Sequence, residues 1–121
     1  MDVRDFYESI GGDYVSVLGR LMNDRIITKF VLKFPADPTV GELKAAMDAE
    51  DWETAFRAAH TLKGVAMNLS FAKLTASAVV LTDALRPQNA DQRDAAKLHE
   101  YFNAVQADYD AVLTAIARFG A

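Results

Sequence analysis

The sequence predicts an all-α protein built as an antiparallel four-helix bundle with additional short helices. Apolar residues recur at three- and four-residue steps in several segments that are rich in alanine and poor in β-branched residues. No segment shows the sustained two-residue alternation of a half-buried strand. Amphipathic helices with short connections pack as antiparallel neighbours, and 121 residues are enough for one core. We therefore expect a single domain over residues 1–121.

The first third of the chain is divided by glycine and proline. Gly11-Gly12 ends a short opening segment, and Asp13 can accept a hydrogen bond from the first turn of the next helix. We predict that this helix covers residues 14–34. Pro35 and Pro38 then end it, because proline lacks the N–H group that a helix interior needs.

Two more helices are predicted before the bend at residue 70. Thr39 and Glu42 have the spacing of a capping box, which predicts a short helix over residues 39–48. Asp51 can cap a longer helix over residues 52–69. The apolar stripe of this longer helix comprises Trp52, Ala55, Phe56, Ala59, Leu62, Ala66 and Leu69.

The second half of the chain contains one bend and one clear turn. Ser70 marks a bend into a helix that ends near Arg86, and Pro87-Gln88-Asn89 is the turn that follows. A final long helix is predicted over residues 91–119, with Gly120 as its C-cap. Its apolar stripe comprises Leu98, Phe102, Val105, Tyr109, Val112 and Ile116.

The composition argues against several classes of function. The net charge is -4 and no basic stripe is visible, so nucleic-acid binding is not expected. The absence of cysteine excludes disulfides and thiolate metal sites. No apolar run resembles a signal peptide or reaches the roughly 20 residues of a membrane span. We expect a cytoplasmic monomer without membrane contact.

Residues 58–66 carry the most informative feature of the chain. Side chains three and four residues apart are neighbours on a helix, so His60, Lys63 and Gly64 form one surface patch. The patch combines a nucleophile, a cation that can hold an anion, and an opening through which a partner can approach. These features favour a protein that carries a phosphoryl group on an imidazole over an enzyme that converts a small substrate.

Helical geometry predicts where the histidine lies. At about 100° per residue, His60 falls roughly 110° from the centre of the apolar stripe, and Lys63 roughly 50° from it. His60 is therefore expected at the border of the core, flanked by Gly64 and Met67. By analogy with phosphoserine, phosphorylation adds about -1.5 to -2 charges, which Lys63 and, one turn earlier, Arg57 can neutralise.

The joint occurrence of these residue types favours a functional interpretation. Taken singly, a histidine at a helix border is usually a polar surface residue, and a lysine is usually a solvated charge. A glycine in the middle of a helix lowers helix stability by roughly 1 kcal/mol relative to alanine. Gly64 therefore needs a reason, which is either access of a partner to His60 or tight packing of helices. His99 has no lysine or glycine one turn further on, and we interpret it as a surface or border residue.

Residues 55–86 resemble the histidine-containing phosphotransfer (HPt) family. The family's signature is a small residue, His, any residue, Leu, Lys and Gly, followed by a periodic apolar tail. The matching residues are Ala59-His60-Thr61-Leu62-Lys63-Gly64, Asn68-Leu69, Leu74, Leu81-Thr82-Asp83 and Leu85-Arg86. Two positions depart from the pattern, with Ser70 where glycine is frequent and Asp83 where glutamate is common.

The resemblance implies a role for each residue of the patch. His60 would be the phosphoacceptor, Lys63 would stabilise the phosphate, and Gly64 would give a receiver domain access. Arg57 and Met67 would contribute to docking. The partners would be response-regulator receiver domains and a sensor or hybrid histidine kinase. Any Mg²⁺ would belong to the receiver, and the chain would be a phosphocarrier with no cofactor and no kinase activity of its own.

Three other interpretations stay open at this point. The chain could be the phosphoacceptor domain of a larger chemotaxis-type or hybrid kinase. The start at Met1, the lack of a glycine-rich nucleotide-binding segment and the non-acidic Thr61 favour a free-standing relay. The chain could be a metal or haem bundle, but Arg57 and Ala96 stand where a di-iron bundle needs glutamate. It could also be a scaffold that binds partners without chemistry.

Overall fold

The computed structural model describes residues 1–121, of which 83% are helical, and it contains no strand, so the predicted all-α class is confirmed. The α-helices are α1 Val3–Ser9, α2 Tyr14–Leu21, α3 Asp24–Lys33, α4 Thr39–Asp48, α5 Trp52–Asn68, α6 Ala72–Leu85 and α7 Ala95–Phe119. Two short 3-10 helices, Phe34–Ala36 and Pro87–Gln92, connect α3 to α4 and α6 to α7. None of the helices combines the length and apolar composition that crossing a membrane requires.

Four helices form the bundle. Helix α5 packs between α4 and α6, and α7 closes the ring by packing against both α6 and α4. One hydrophobic core cluster contains buried residues from all seven α-helices. The ring of Phe6 in α1 lies 6.0 Å from that of Phe71 and 5.5 Å from that of Phe119. Aromatic contacts therefore join the N-terminal helices to the bundle.

The helix predicted over residues 14–34 is wrong, because the segment forms two helices, α2 and α3. Met22 has a φ of 79°, which breaks the helix, and the Asn23 side chain accepts a hydrogen bond from the N–H of Ile26 at 3.0 Å. Asn23 therefore starts a new helix instead of continuing the old one. Asp13 caps α2 as predicted, accepting from the N–H of Ser16 at 3.0 Å.

The capping box predicted for Thr39 and Glu42 is also wrong. Thr39 is the buried first residue of α4, and its N–H donates to the carboxylate of Asp37 at 2.8 Å. Asp37 thus replaces Glu42 as the acceptor for the N–H of Thr39. The N–H of Glu42 donates to the carbonyl of Pro38 at 3.0 Å, so it does not need the hydroxyl of Thr39 as a cap. The final helix begins at Ala95 rather than near residue 91, since Asp94 accepts from the first turn and the preceding residues form a 3-10 helix.

The corner between α5 and α6 has the hydrogen bonds of a Schellman motif. The N–H of Phe71 donates to the carbonyl of Ala66, and the N–H of Ser70 donates to the carbonyl of Met67, both at 3.0 Å. Ser70 has a φ of 55°, in the left-handed region that favours glycine. Glycine adopts this backbone conformation without the steric strain that the Ser70 side chain brings.

The N-terminal helices satisfy the polar groups of this corner. The hydroxyl of Tyr7 donates to the carbonyl of Leu69 at 2.6 Å, and burial raises the pKa of Tyr7. The N–H of Asp13 donates to the carbonyl of Ser70 at 3.0 Å. The guanidinium of Arg20 donates to the hydroxyl of Ser70 at 3.0 Å. The end of α5 is therefore held by residues that precede the bundle.

Candidate functional site

The histidine patch is carried by α5, whose start is defined by Asp51. The carboxylate of Asp51 accepts from the N–H of Thr54 at 3.2 Å and from its hydroxyl at 2.7 Å. These hydrogen bonds lower the pKa of Asp51. The predicted cap is confirmed, and α5 runs unbroken from Trp52 past His60 to Asn68.

His60 lies on the exposed face of α5 rather than at the border of the core. The buried stripe of α5 is displaced away from His60 relative to the prediction, because Ala58 is buried whereas Trp52 and Phe56 are only half-buried. At about 100° per residue, His60 lies roughly 140° from the centre of the buried stripe. The residues of α5 that are buried are Ala55, Ala58, Ala59, Leu62 and Ala66. The imidazole is consequently open to a partner.

The imidazole ring is flanked by an aromatic ring from the preceding turn. The ring centroids of His60 and Phe56 lie 6.1 Å apart, with the planes tilted by 58°. Arg86 of the α6 C-cap lies 6.0 Å from the Phe56 centroid, and Asp83 holds its guanidinium at 3.0 Å. The imidazole nitrogens accept and donate no hydrogen bond within the chain.

Lys63 stands one turn after the histidine, at the edge of the exposed face. Its side chain is half-buried, and its ammonium forms no ion pair or hydrogen bond within the chain. A lysine can cover its stem while the charged end reaches solvent. The ammonium is thus available to an anion bound on the neighbouring His60.

Gly64 also lies on the exposed face, one turn after His60. A methyl group placed on Gly64 would have no neighbour within 4 Å outside its own helix turn. Packing inside the chain therefore does not require glycine at this position, which removes tight helix packing as its explanation. Gly19 and Gly41 are equally open, so open space alone does not distinguish Gly64.

Arg57 and Met67 lie on the same exposed face as His60. The guanidinium of Arg57 pairs with Glu53 at 3.0 Å and also lies 3.4 Å from the Thr54 hydroxyl. Met67 is 50% exposed, which is high for a large apolar side chain. The exposed face of α5 therefore brings together an imidazole, an apolar side chain and a cation that already has a carboxylate partner.

His99 lies outside this patch. Its Nε2 atom is 3.4 Å from the carboxylate of Glu50, and its ring meets Trp52 edge-on with centroids 6.0 Å apart. These contacts link α7 to the start of α5. The structure thus gives the second histidine a polar contact with Glu50 and a packing contact with Trp52.

The sequence analysis does not predict that Phe56 lies beside the imidazole or that Arg86 lies against Phe56. Phe56 belongs to the predicted core stripe, and its position one turn before His60 also indicates a contact with the imidazole. Arg86 reaches Phe56 from another helix, and no local spacing signals that contact. No group of three or more His, Cys, Asp or Glu side chains that could hold a metal occurs in the structure.

Together, fold and patch describe an α-helical bundle that presents a histidine to solvent. The family model of the Hpt domain matches residues 33–115 of the 121 residues, so the chain belongs to the Hpt domain family. No curated protein and no solved structure matches the chain. Members of this family act in histidine phosphotransfer within two-component phosphorelays, with receiver domains and histidine kinases. Helices α1 and α2 and most of α3 precede the matched residues.

Proposed function

We propose that this chain is a phosphorelay intermediate that carries a phosphoryl group on His60. It accepts the group from the aspartyl phosphate of one receiver domain and passes it to the aspartate of another. The observation that carries the proposal is the exposed imidazole of His60 beside the unpaired ammonium of Lys63. Membership of the Hpt domain family supports it.

The transfer step balances without any other reactant. A neutral imidazole nitrogen of His60 attacks the phosphorus with its lone pair, and an N–P bond forms. The P–O bond to the donor aspartate breaks, and its electron pair leaves with the carboxylate. In the second transfer, the carboxylate of the next receiver attacks the phosphorus, the N–P bond breaks and the imidazole is restored. Such phosphoryl transfers are accelerated mainly by positioning and by charge neutralisation.

Lys63 supplies the charge neutralisation in this proposal. Its ammonium has no partner to leave, so pairing with the phosphoryl oxygens costs it no existing ion pair. Arg57 would first have to separate from Glu53. That pair is exposed and joins residues four apart, so breaking it costs only about 0.3 to 0.5 kcal/mol. We assign the main phosphate contact to Lys63 and a secondary one to Arg57.

Gly64 and Met67 form the access side of the site in this proposal. The bare backbone at Gly64 lets the receiver bring its aspartate within bonding distance of the imidazole. The exposed side chain of Met67 provides apolar contact area on the same face. The Mg²⁺ that neutralises the phosphoryl group during transfer belongs to the receiver, and this chain contributes no cofactor.

Two histidines in one chain allow a matched experiment. A receiver domain phosphorylated on its aspartate is mixed with the unaltered chain, with His60→Gln or with His99→Gln. The unaltered chain and His99→Gln should become labelled, whereas His60→Gln should not, although its helicity is retained. Incubation with ATP alone should leave all three unlabelled. Labelling of His60→Gln at the rate of the unaltered chain would overturn the assignment.

A further inference from the structure

Helix α3 exposes apolar and basic side chains side by side. Phe30 is 47% exposed and Ile26 is 37% exposed, and the two lie one turn apart. Lys29 and Lys33 are exposed on the same face, and neither forms an ion pair within the chain. The only acidic residue of the helix, Asp24, accepts a hydrogen bond from Tyr14. This face is basic in a chain whose net charge is -4.

A groove joins this face of α3 to the helix that carries His60. The groove has a volume of about 470 Å³ and lies between α2, α3, the 3-10 helix after α3 and α5. Its apolar walls are Leu21, Phe30, Phe34, Val65 and Leu69, and its polar rim is Arg20, Lys33, Asp37 and Asn68. Val65 and Asn68 follow His60 by about 8 to 12 Å along the α5 axis. Around the axis, Asn68 lies about 80° and Val65 about 140° from His60. A partner that covers about 800 Å² of this chain, the usual area for one side of an interface, can contact both His60 and the rim of the groove at Asn68.

The charges around the groove favour an anionic partner. The rim of the groove carries two positive side chains, Arg20 and Lys33, and one carboxylate, Asp37. Asp37 already accepts a hydrogen bond from the backbone of Thr39. Lys29 adds another positive charge on the adjoining face of α3. The groove thus offers an apolar floor next to a surplus of positive charge.

We infer that α3 and this groove select the receiver domain that docks over His60. The inference rests on the proposed function. The receiver would insert one apolar side chain between Phe30 and Val65, and carboxylates beside that side chain would meet Lys29 and Lys33. Residues 24–32 precede the part of the chain that matches the family model, whereas Lys33 and the α5 wall of the groove lie within it. Complementary charge acts mainly on encounter and on partner choice.

The test compares two pairs of charge reversals. Lys29→Glu/Lys33→Glu alters the α3 surface. Lys73→Glu/Lys97→Glu makes the same change in net charge at exposed lysines of α6 and α7 that lie outside the groove. The donor is the aspartyl-phosphorylated receiver domain of the source organism that has the highest kcat/KM with the unaltered chain. We expect the α3 pair to raise KM by about tenfold or more at low salt, with kcat little changed.

A second measurement separates failure of docking from failure of the proposed function. Phosphoramidate, a small donor that needs no docking surface, should label His60 equally in all variants. Equal KM values for the two pairs of reversals, with phosphoramidate labelling intact, would overturn the docking surface alone. Loss of labelling on the unaltered chain from both donors would instead overturn the role of His60. In Phe30→Ala, which removes one wall of the groove, KM should also rise severalfold.

Two other occupants of this surface would contradict the inference. The first is a membrane. The unaltered chain would then co-sediment with vesicles of phosphatidylserine and phosphatidylcholine, and Lys29→Glu/Lys33→Glu would abolish this binding while leaving KM unchanged. The second is another copy of this chain. Sedimentation velocity would then show a dimer of the unaltered chain and a monomer of Lys29→Glu/Lys33→Glu, again with unchanged KM. We expect neither binding to vesicles nor a change in oligomeric state.

Discussion

The guanidinium of Arg20 lies at the end of the helix that carries His60 and donates to the hydroxyl of Ser70 at 3.0 Å. It also donates to the carbonyl of Asn68 at 3.1 Å, one of the last carbonyls of α5. Arg20 precedes the matched Hpt domain, whereas Ser70 lies within it. A residue of the N-terminal helices therefore stabilises the corner that follows the histidine patch.

Replacing Arg20 should destabilise the chain. Arg20→Met keeps most of the apolar stem but removes the donors to Ser70 and Asn68, and should lower the free energy of unfolding by about 1 kcal/mol. Arg57→Met is the control, because its partners are exposed, and should cost about 0.5 kcal/mol or less. Urea unfolding followed by circular dichroism gives both values. Equal effects would show that the corner does not depend on Arg20.

The left-handed backbone at Ser70 predicts opposite effects of two small replacements. Ser70→Ala keeps the strain of a side chain at a φ of 55° and loses the hydroxyl, so it should destabilise. Ser70→Gly loses the same hydroxyl but relieves the strain, and should be about 1 kcal/mol more stable than Ser70→Ala. Thermal and urea unfolding of the two variants test this ordering directly. Equal stability would contradict the role of the φ angle.

Local signals predicted some helix bounds and not others. Asp51 and the apolar stripe that follows it lie within one helix, so the bounds of α5 could be predicted closely. The periodicity through residues 14–34 does not predict the break at Met22. Asn23, a strong N-cap residue in that run, was the signal available.

The contacts between helices could not be predicted from spacing. The donation from Arg20 to Ser70 crosses 50 positions of the chain, and that from Tyr7 to Leu69 crosses 62. Helical periodicity tells which side of a helix is buried, but not which helix covers it. That is why the spacing of His60, Lys63 and Gly64 on one helix could be predicted from the sequence, whereas the contact of Arg86 with Phe56 and the α3 groove are evident only in the structure.

Tyr7 should make stability depend on alkaline pH. Burial raises its pKa in the folded chain above the ordinary value of 10.0, so the folded state holds a proton that the unfolded state releases first. Stability is therefore complete below about pH 10 and falls above it, by at most about 1.4 kcal/mol per pH unit for one proton. Urea midpoints between pH 8 and 11, in steps of about half a unit, measure this loss.

Tyr7→Phe isolates the contribution of this hydroxyl. The variant leaves the carbonyl of Leu69 without its donor and should cost about 1 to 3 kcal/mol at neutral pH. Its stability should fall less steeply at alkaline pH than that of the unaltered chain. Other tyrosines, such as Tyr109, contribute equally to both curves and cancel in the comparison. Parallel curves would contradict the assignment to Tyr7.

Gly64→Ala should raise stability while it impairs transfer. The added methyl group meets no atom within 4 Å beyond its own helix turn, so the helix should gain about 1 kcal/mol. The same methyl group stands where the receiver approaches His60, and should raise KM for the phosphorylated receiver. Gly41→Ala in α4 is the matched control, because it is equally open and should leave transfer unchanged. A stabilised Gly64→Ala variant with unaltered transfer would exclude a role in access.

Phe56 should position the imidazole of His60. The two ring centroids lie 6.1 Å apart, and Arg86 covers Phe56 from the C-cap of α6. Phe56→Ala leaves the imidazole without this neighbour, so more orientations become available and fewer of them suit attack on phosphorus. We expect kcat for transfer to fall by about three- to tenfold, with KM little changed, and Phe56→Tyr to restore most of the rate.

A control separates this effect from a loss of stability. Tyr101 is another half-buried aromatic residue packed against the core, and it lies on α7. Tyr101→Ala should cost a comparable free energy of unfolding but leave kcat unchanged at a temperature where both variants are folded. The NMR signals of the imidazole should show averaging between side-chain rotamers in Phe56→Ala only. If Tyr101→Ala slows transfer as much as Phe56→Ala, the effect on rate comes from stability and the aromatic ring beside His60 has no positioning role.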